Sequence, residues 1–261
     1  LKALGGAACV TIGDSGIDPK YGLPHQRQIN LYDPDGRGPL VNISRAITRH
    51  GAVASAELQH GGMYSIFSPE PYYGPVETEL PDGRVVREMP ESVIEEIISR
   101  FGDAAAWVKA CGFGMVMVHG GHGWLLNQFL SPTLNRRKDR WGGSFENRMR
   151  LTYAVIDEIR RRCGRDFPIE FRMSGSECNP NGYDIDEGVR IAQALDGNVD
   201  IIHVSAGHHE IPEVFYVTHP TMFLPDGVNV KYAAEIKKHV KTPVACVGAM
   251  ADPAYMEEIV A

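Results

Sequence analysis

The chain has 261 residues, of which 43% are hydrophobic and 23% are charged, as in an ordinary globular protein. Its formal net charge of −7 argues against nucleic acid or an anionic membrane as a partner, because both attract a basic surface. No apolar run approaches the roughly 18 residues that a membrane-spanning helix needs. We therefore expect neither a nucleic-acid partner nor a membrane partner.

The five cysteines show no Cys-x-x-Cys pair, and their odd number argues against a disulfide framework. Cys9, Cys111 and Cys246 lie in or beside apolar runs, so we interpret the cysteines as buried packing residues rather than metal or redox centres. Buried free thiols fit a reducing compartment, which predicts a cytoplasmic location.

Short apolar or β-branched runs alternate with helical patterns along the chain. Strands are predicted at residues 7–13, 52–58, 113–118, 169–172, 201–204 and 244–247. Helices are predicted at residues 41–49, 91–110, 145–162, 185–195, 230–240 and 253–260. Strict alternation of this kind is typical of a parallel sheet covered by helices, which is either doubly wound or closed into a barrel.

Two features favour the barrel. Long polar loops follow the strands, at residues 14–38, 59–89, 119–144 and 205–229, whereas the loops after helices are short. No G-x-G-x-x-G follows any strand, so the dinucleotide-binding fingerprint of the doubly wound fold is missing. The predicted fold class is α/β, a (β/α)8 TIM barrel. Because eight strands close such a barrel and six are predicted, we expect an incomplete one, with the first and last strands outside the chain. Residues 1–261 would then form one domain, from about the second strand to the seventh helix.

The clearest chemical signal lies in residues 118–150, VHGGHGWLLNQFLSPTLNRRKDRWGGSFENRMR. His119 and His122 stand among glycines at the end of a predicted strand. Glycines let the backbone approach a flat ligand, and paired imidazoles can donate hydrogen bonds to an oxygen that gains charge. Two alternatives remain open at this point. The histidines could bond only to loop carbonyls, or they could bind a metal together with His60.

This segment resembles the signature of the old yellow enzyme family. In that family a strand-end His, a second His or Asn three residues on, and a Tyr two residues further line the substrate site. The resemblance extends to TIGDSG, ELQHGG, FRMSG and PVACVGAM, in the family's order. HGGHGW and THPTMFLPDGVNV are most similar to the branch that holds 2,4-dienoyl-CoA reductase, 2-enoate reductase, trimethylamine dehydrogenase and the bile-acid-inducible flavin oxidoreductases.

The resemblance implies that the domain binds FMN and that His119 and His122 bind the carbonyl oxygen of an unsaturated substrate. It places Arg172 beside the flavin pyrimidine, where the alternative is a buried ion pair with Glu57 or Glu170. It implies further cofactor contacts at Gly13, the last residue of the first predicted strand, and at Gly248 and Ala249, which follow the last predicted strand.

Two residues depart from the family pattern. Trp124 stands where the family has a proton-donating Tyr, so the proton would come from Tyr64 or solvent, or the reaction would run as a dehydrogenation. Glu57 replaces the glutamine that binds the flavin pyrimidine, and an ionised Glu can accept a hydrogen bond but cannot donate one. The trimethylamine dehydrogenase branch has this Glu, which indicates a subfamily. We therefore assign Trp124 to the catalytic site and Glu57 to the cofactor site.

The resemblance implies an oxidoreductase that passes a hydride between NAD(P)H-reduced FMN and the C=C bond of an enone or enoate, in either direction. A 3-oxo-4-ene steroid is one candidate substrate. A [4Fe–4S] cluster and FAD are candidates for the full-length protein outside these residues, and a homo-oligomer is left open. No metal site is expected. The alternatives are a metal-dependent barrel hydrolase that uses the histidines, and a barrel fragment without catalytic activity.

Overall fold

The structure is a computed structural model that describes residues 1–261. The strands are β1 (Cys9–Ile12), β2 (Ser15–Gly16), β3 (Ile29–Asn30), β4 (Val53–Leu58), β5 (Tyr72–Gly74), β6 (Thr78–Glu79), β7 (Val85–Glu88), β8 (Met115–Gly120), β9 (Ile169–Ser174), β10 (Ile201–Ser205) and β11 (Val244–Cys246). The α-helices are α1 (Arg37–Thr48), α2 (Glu91–Ala110), α3 (Leu125–Leu130), α4 (Phe145–Cys163), α5 (Ile185–Leu195), α6 (Phe215–Thr218), α7 (Val230–Lys237) and α8 (Pro253–Val260). None of these helices is long and apolar enough to cross a membrane.

Six strands form one parallel sheet in the order β1-β4-β8-β9-β10-β11. They are the six strands predicted from the sequence, and the six predicted helices are also present. The sheet and its helices form an incomplete (β/α)8 barrel, which confirms the predicted fold class. Because the strands are parallel, their carboxyl ends lie at one edge of the sheet, and the long loops meet there.

The two faces of the sheet differ in chemistry because successive side chains of a strand point to opposite faces. Residues on the helix-covered face are apolar and fully buried; they include Ala56, Val118, Phe171 and Val204. The opposite face, which is the inside of the curved sheet, carries polar and charged side chains. His119, Arg172 and His203 are paired neighbours along one row of this face. The fold therefore places titratable groups side by side inside the barrel.

The predicted loops contain short elements that the sequence pattern did not reveal. β2 pairs with β3, and β5, β7 and β6 form a separate three-stranded sheet within the loop after β4. Arg137 fastens that sheet to the segment after α3. Its guanidinium donates to the carbonyl oxygens of Pro75 and Met89, at 2.9 Å each, and pairs with Asp139 at 2.6 Å. Through these contacts the charged RRKDR run braces the loop against the three-stranded sheet.

One expectation about the cysteines is wrong. Cys111 and Cys163 are buried, but Cys178 and Cys246 are only partly buried. Cys9 is exposed, because β1 is an edge strand of the open sheet and has no neighbour on one side. All five thiols are free.

Candidate active site

The candidate site lies at the carboxyl ends of β4, β8, β9 and β10. Glu57 on β4 and His119 on β8 are buried there, and the loop after β8 adds a second buried imidazole, His122. Arg172 on β9 is the next neighbour of His119 across the sheet. The structure thus brings together four of the residues singled out in the sequence.

A continuous chain of hydrogen bonds joins the two imidazoles to residues on either side. His119 Nδ1 lies 2.6 Å from Glu57 Oε1, and His119 Nε2 lies 3.2 Å from His122 Nδ1. His122 Nε2 lies 2.7 Å from the hydroxyl oxygen of Ser205, at the end of β10. Each ring is therefore oriented from its far side, and the two facing nitrogens are hydrogen-bonded to each other. Ser205 was not singled out in the sequence.

The protonation states follow from burial and neighbouring charge. Burial alone would raise the pKa of Glu57, but the hydrogen bond from His119 and the charge of Arg172 outweigh it and lower that pKa. Burial lowers the pKa of His119 against the opposing effect of Glu57, and burial together with Arg172 holds the pKa of His122 well below its ordinary value. At neutral pH the carboxylate is ionised and both rings are neutral. His119 then donates to Glu57 and accepts from His122, which in turn accepts from Ser205.

The glycines around the histidines allow a tight backbone turn. A Cβ at Gly120 would overlap the ring of Phe171, and one at Gly121 would lie 2.9 Å from the Ser174 nitrogen. His122 itself has φ +58° and Gly123 has φ +84°, both in the left-handed region. The His122 N–H donates to Ser174 Oγ at 2.9 Å and helps to hold this conformation.

Arg172 is a largely but not fully buried cation without a protein partner. No carboxylate lies within 4.0 Å of its guanidinium, and its Nε donates to no acceptor. The two nearby carboxylates bond to imidazoles instead: Glu57 to His119 and Glu170 to His203, at 2.6 Å each. The ion-pair alternative for Arg172 is therefore wrong. A largely buried, unpaired guanidinium fits an electron-rich ligand such as the flavin pyrimidine.

The three predicted backbone contacts lie at strand ends. A Cβ at Gly13 would overlap Glu57 Oε2, so only glycine lets this carboxylate approach the end of β1. Gly248 has φ +133° and Ala249 has φ +51°, just after β11, and neither N–H donates to a protein acceptor. Free backbone N–H groups after a barrel strand fit a phosphate group.

Trp124 is 3% exposed and lies in a cluster of aromatic and imidazole rings. Its ring centroid is 5.1 Å from that of His209, 5.6 Å from His25 and 6.4 Å from Tyr64. The sequence places three histidines in the loop after β10, but nothing in their pattern shows that they reach Trp124 or Tyr64. These residues are His208, His209 and His219.

His60 does not join the other histidines. Its Nδ1 accepts from the Gly62 N–H at 3.0 Å, and its Nε2 faces Asp18 at 3.6 Å, fully buried beneath the loop after β1. No group of three His, Cys, Asp or Glu side chains is arranged to bind a metal ion. The metal-hydrolase alternative therefore has no ligand set.

Known proteins match most or all of this chain. The family model described as "NADH:flavin oxidoreductase / NADH oxidase family" matches residues 2–261. The chain is similar to NADH oxidase of Thermoanaerobacter brockii, with 35% identity over 100% of the chain and 40% of the relative. It is also similar to cinnamate reductase of Clostridium sporogenes, with 34% identity over 66% of the chain and 28% of the relative.

A solved structure of 2-naphthoyl-CoA reductase in complex with 2-naphthoyl-CoA superposes with a TM-score of 0.90 at 27% identity. The superposition covers 99% of this chain and 41% of that one. The chain thus spans between 28% and 41% of the length of these larger relatives. Because the family model covers nearly every residue, the chain belongs to the NADH:flavin oxidoreductase / NADH oxidase family.

Proposed function

We propose that residues 1–261 are the FMN-binding domain of an NAD(P)H-dependent oxidoreductase that acts on the C=C bond of an α,β-unsaturated carbonyl compound. Family membership supports the redox chemistry, and cinnamate, named in one relative, carries a C=C bond conjugated to a carboxylate. The observation that carries the proposal is the pair of facing nitrogens, His119 Nε2 and His122 Nδ1, beside the unpaired cation of Arg172.

FMN, when bound, supplies hydride transfer to or from the substrate carbon. Arg172 would bind the pyrimidine edge of its ring, where negative charge accumulates on reduction. Glu57 would accept from the ring N–H, and Gly13 would leave room for the ring. The backbone N–H groups of Gly248 and Ala249 would bind the phosphate.

His119 and His122 would bind the substrate carbonyl oxygen between them. His122 is ready to donate from Nδ1, because its Nε2 accepts from Ser205. His119 donates from Nε2 only when it carries a second proton, and the adjacent carboxylate of Glu57 stabilises that cation. As the substrate carbonyl oxygen gains negative charge during the reaction, it would thus accept hydrogen bonds from both His119 and His122.

Trp124 cannot supply the proton to carbon, because indole N–H is not a useful acid. Tyr64 lies in the same ring cluster, but burial raises the pKa of its phenol and weakens it as an acid. We therefore propose that the proton comes from solvent or from Tyr64, and that Trp124 shapes the substrate pocket.

The cheapest test of this function is the visible spectrum of the purified protein. We expect flavin absorption, reduction by NADH or NADPH, and reoxidation by cinnamate or a cyclic enone. A colourless protein that contains stoichiometric zinc would overturn the proposal and restore the metal alternative.

We further propose that the full-length protein carries a [4Fe–4S] cluster and FAD outside these residues and acts in the cytoplasm. The larger relatives extend well beyond the matched region, and all five thiols of this chain are free. Iron and acid-labile sulfide analysis of the full-length protein tests the cluster.

Replacing Arg172 with alanine is expected to weaken FMN binding about tenfold or more, because a hydrogen bond to a charged group is worth about 1.5–3 kcal/mol. The Kd is measured from quenching of FMN fluorescence. Arg172→Lys should recover part of the affinity, and Arg190→Ala on the exposed face of α5 should change nothing. Equal affinity of Arg172→Ala and the unmodified protein would remove Arg172 from the cofactor site.

Replacing Ser205 with alanine should slow substrate-driven flavin reoxidation by roughly two- to tenfold, the worth of one neutral hydrogen bond. The His122 ring would lose the hydroxyl that fixes its tautomer. Stopped-flow absorbance measures the rate, and Ser205→Thr, which keeps a hydroxyl, should stay close to the unmodified protein. An unchanged rate in Ser205→Ala would show that His122 needs no such partner.

A further inference from the structure

A buried carboxyl group that the reaction does not use lies behind the candidate site. Glu177, in the loop after β9, is 1% exposed. No Lys, Arg or His side chain lies within 4.0 Å of it, because it takes part in none of the ion pairs of the structure. A buried carboxylate without a counter-charge is costly unless hydrogen bonds compensate for it.

Three donors converge on this carboxyl group. Asn127 Nδ2 donates to Oε1 at 3.2 Å, while Ser131 Oγ and the Tyr183 N–H donate to Oε2 at 3.1 and 3.0 Å. A Cβ at Gly182 would lie 2.6 Å from Glu177, so the chain leaves space for this side chain only by having glycine there. The site is built around an acceptor.

The first link from Glu177 runs through Asn127 to the loop after β8, which carries His122 and Trp124. An amide can point either way, but the carboxylate only accepts, so Asn127 must turn its NH2 group toward Glu177. Its oxygen then faces the opposite direction and accepts from the Gly123 N–H at 2.6 Å. Gly123 lies between His122 and Trp124.

The second link runs through Tyr183. Glu177 holds this residue by its backbone, because the Glu177 N–H also donates to the Tyr183 oxygen at 3.0 Å. The Tyr183 hydroxyl donates to the Ser174 carbonyl oxygen at 2.8 Å, and Ser174 Oγ accepts from the His122 N–H. Both links therefore end on adjacent residues of one turn.

We propose that Glu177 is a positioning residue, which fixes the left-handed turn at His122 and Gly123 and thereby orients His122 and Trp124. Left-handed backbone in a non-glycine residue costs about 1 kcal/mol or more and persists only where its surroundings enforce it. Glu177, through Asn127 and Tyr183, supplies that enforcement from behind the loop. The proposed effect on catalysis depends on the function proposed above, but the effect on the turn does not.

The protonation state of Glu177 allows a second test of this role. Burial raises the pKa of Glu177 to about 7, against the hydrogen bonds from Tyr183, Ser131 and Asn127. As the pH falls through that value, the Glu177 carboxylate gains a proton. The protonated oxygen is then a hydrogen-bond donor, and it can no longer accept the hydrogen bond from one of its three donors. The other titratable groups around this cluster are Tyr183, Cys178, Tyr64 and Glu187, of which Glu187 is paired with Arg148.

The test compares Glu177→Gln and Glu177→Ala with Glu95→Gln, an exposed position on α2, in the full chain loaded with FMN. Glutamine keeps the shape but replaces one acceptor by a donor. We expect hydrogen exchange in the peptide that contains Gly123 to speed up at least tenfold in both Glu177 variants, measured by mass spectrometry. Glu95→Gln should exchange like the unmodified protein.

The kinetic arm follows flavin reoxidation by cinnamate or a cyclic enone between pH 6 and 8. In the unmodified protein the saturating rate should rise as the pH rises through about 7, and Glu177→Gln should show a rate at least tenfold lower without that rise. FMN affinity should stay within twofold.

Absence of enone activity in the unmodified protein would count against the proposed function alone. Unchanged exchange at Gly123 in Glu177→Gln would overturn the role of Glu177. If Glu177→Ala fails to fold, the isosteric Glu177→Gln still decides.

Discussion

Alanine at His119 or His122 is expected to slow enone-driven reoxidation of the reduced flavin by roughly a hundred- to a thousandfold. Each donor to a developing oxyanion is worth about 2.7–4 kcal/mol, and the two facing nitrogens lie 3.2 Å apart. Reduction by NAD(P)H should remain largely intact, because it needs no donor at the substrate oxygen. Stopped-flow absorbance measures the two half-reactions separately.

His122→Asn is the matched control for this experiment. Asparagine tolerates the left-handed backbone better than alanine and keeps an N–H donor, so it should retain most of the rate. A parallel loss in both half-reactions would mean that the histidines support the fold or the cofactor rather than the substrate.

Replacing Trp124 with tyrosine should speed the reduction of small enones by up to about a hundredfold, because a well-placed acid contributes about 10²–10⁴-fold. The indole now fills a pocket against His25, His209 and Tyr64, so the smaller ring should also weaken binding of steroid-sized substrates. The measurement is reoxidation by one small enone and one polycyclic enone.

Trp124→Phe separates the two effects, because it removes bulk without adding an acid. It should weaken polycyclic binding as Trp124→Tyr does, yet leave the small-enone rate unchanged. If neither variant altered any rate or affinity, residue 124 would lie outside the active site and the alignment of this loop with the family would be wrong.

The fold could be predicted because its strands carry a strong local signal. β4, β8 and β9 are apolar runs broken by single polar residues, and β4 and β8 are each followed by a long polar loop. The three-stranded sheet of β5, β6 and β7 carries no such signal. Its strands are two to four residues long, which is too short for an alternating pattern to stand out from a loop.

The site was predictable only in part, for a related reason. His119 and His122 are close in sequence and framed by glycines, so their chemistry shows locally. Ser205 is 83 residues from His122, and Glu177 is 50 residues from Asn127. Serine and glutamate at such positions look like ordinary loop residues, and only the fold brings them to their partners.

The left-handed backbone at residue 122 also limits how this site can be engineered. At φ +58° a β-branched or bulky side chain would strain the turn, so most members of a randomised library at this position would fail before their chemistry was sampled. Asparagine, aspartate and glycine tolerate that backbone, and of these only asparagine also donates a hydrogen bond. Histidine and asparagine are therefore nearly the only residues at position 122 that keep both the backbone and the donor. A library for new substrates should instead vary the aromatic and imidazole side chains around Trp124.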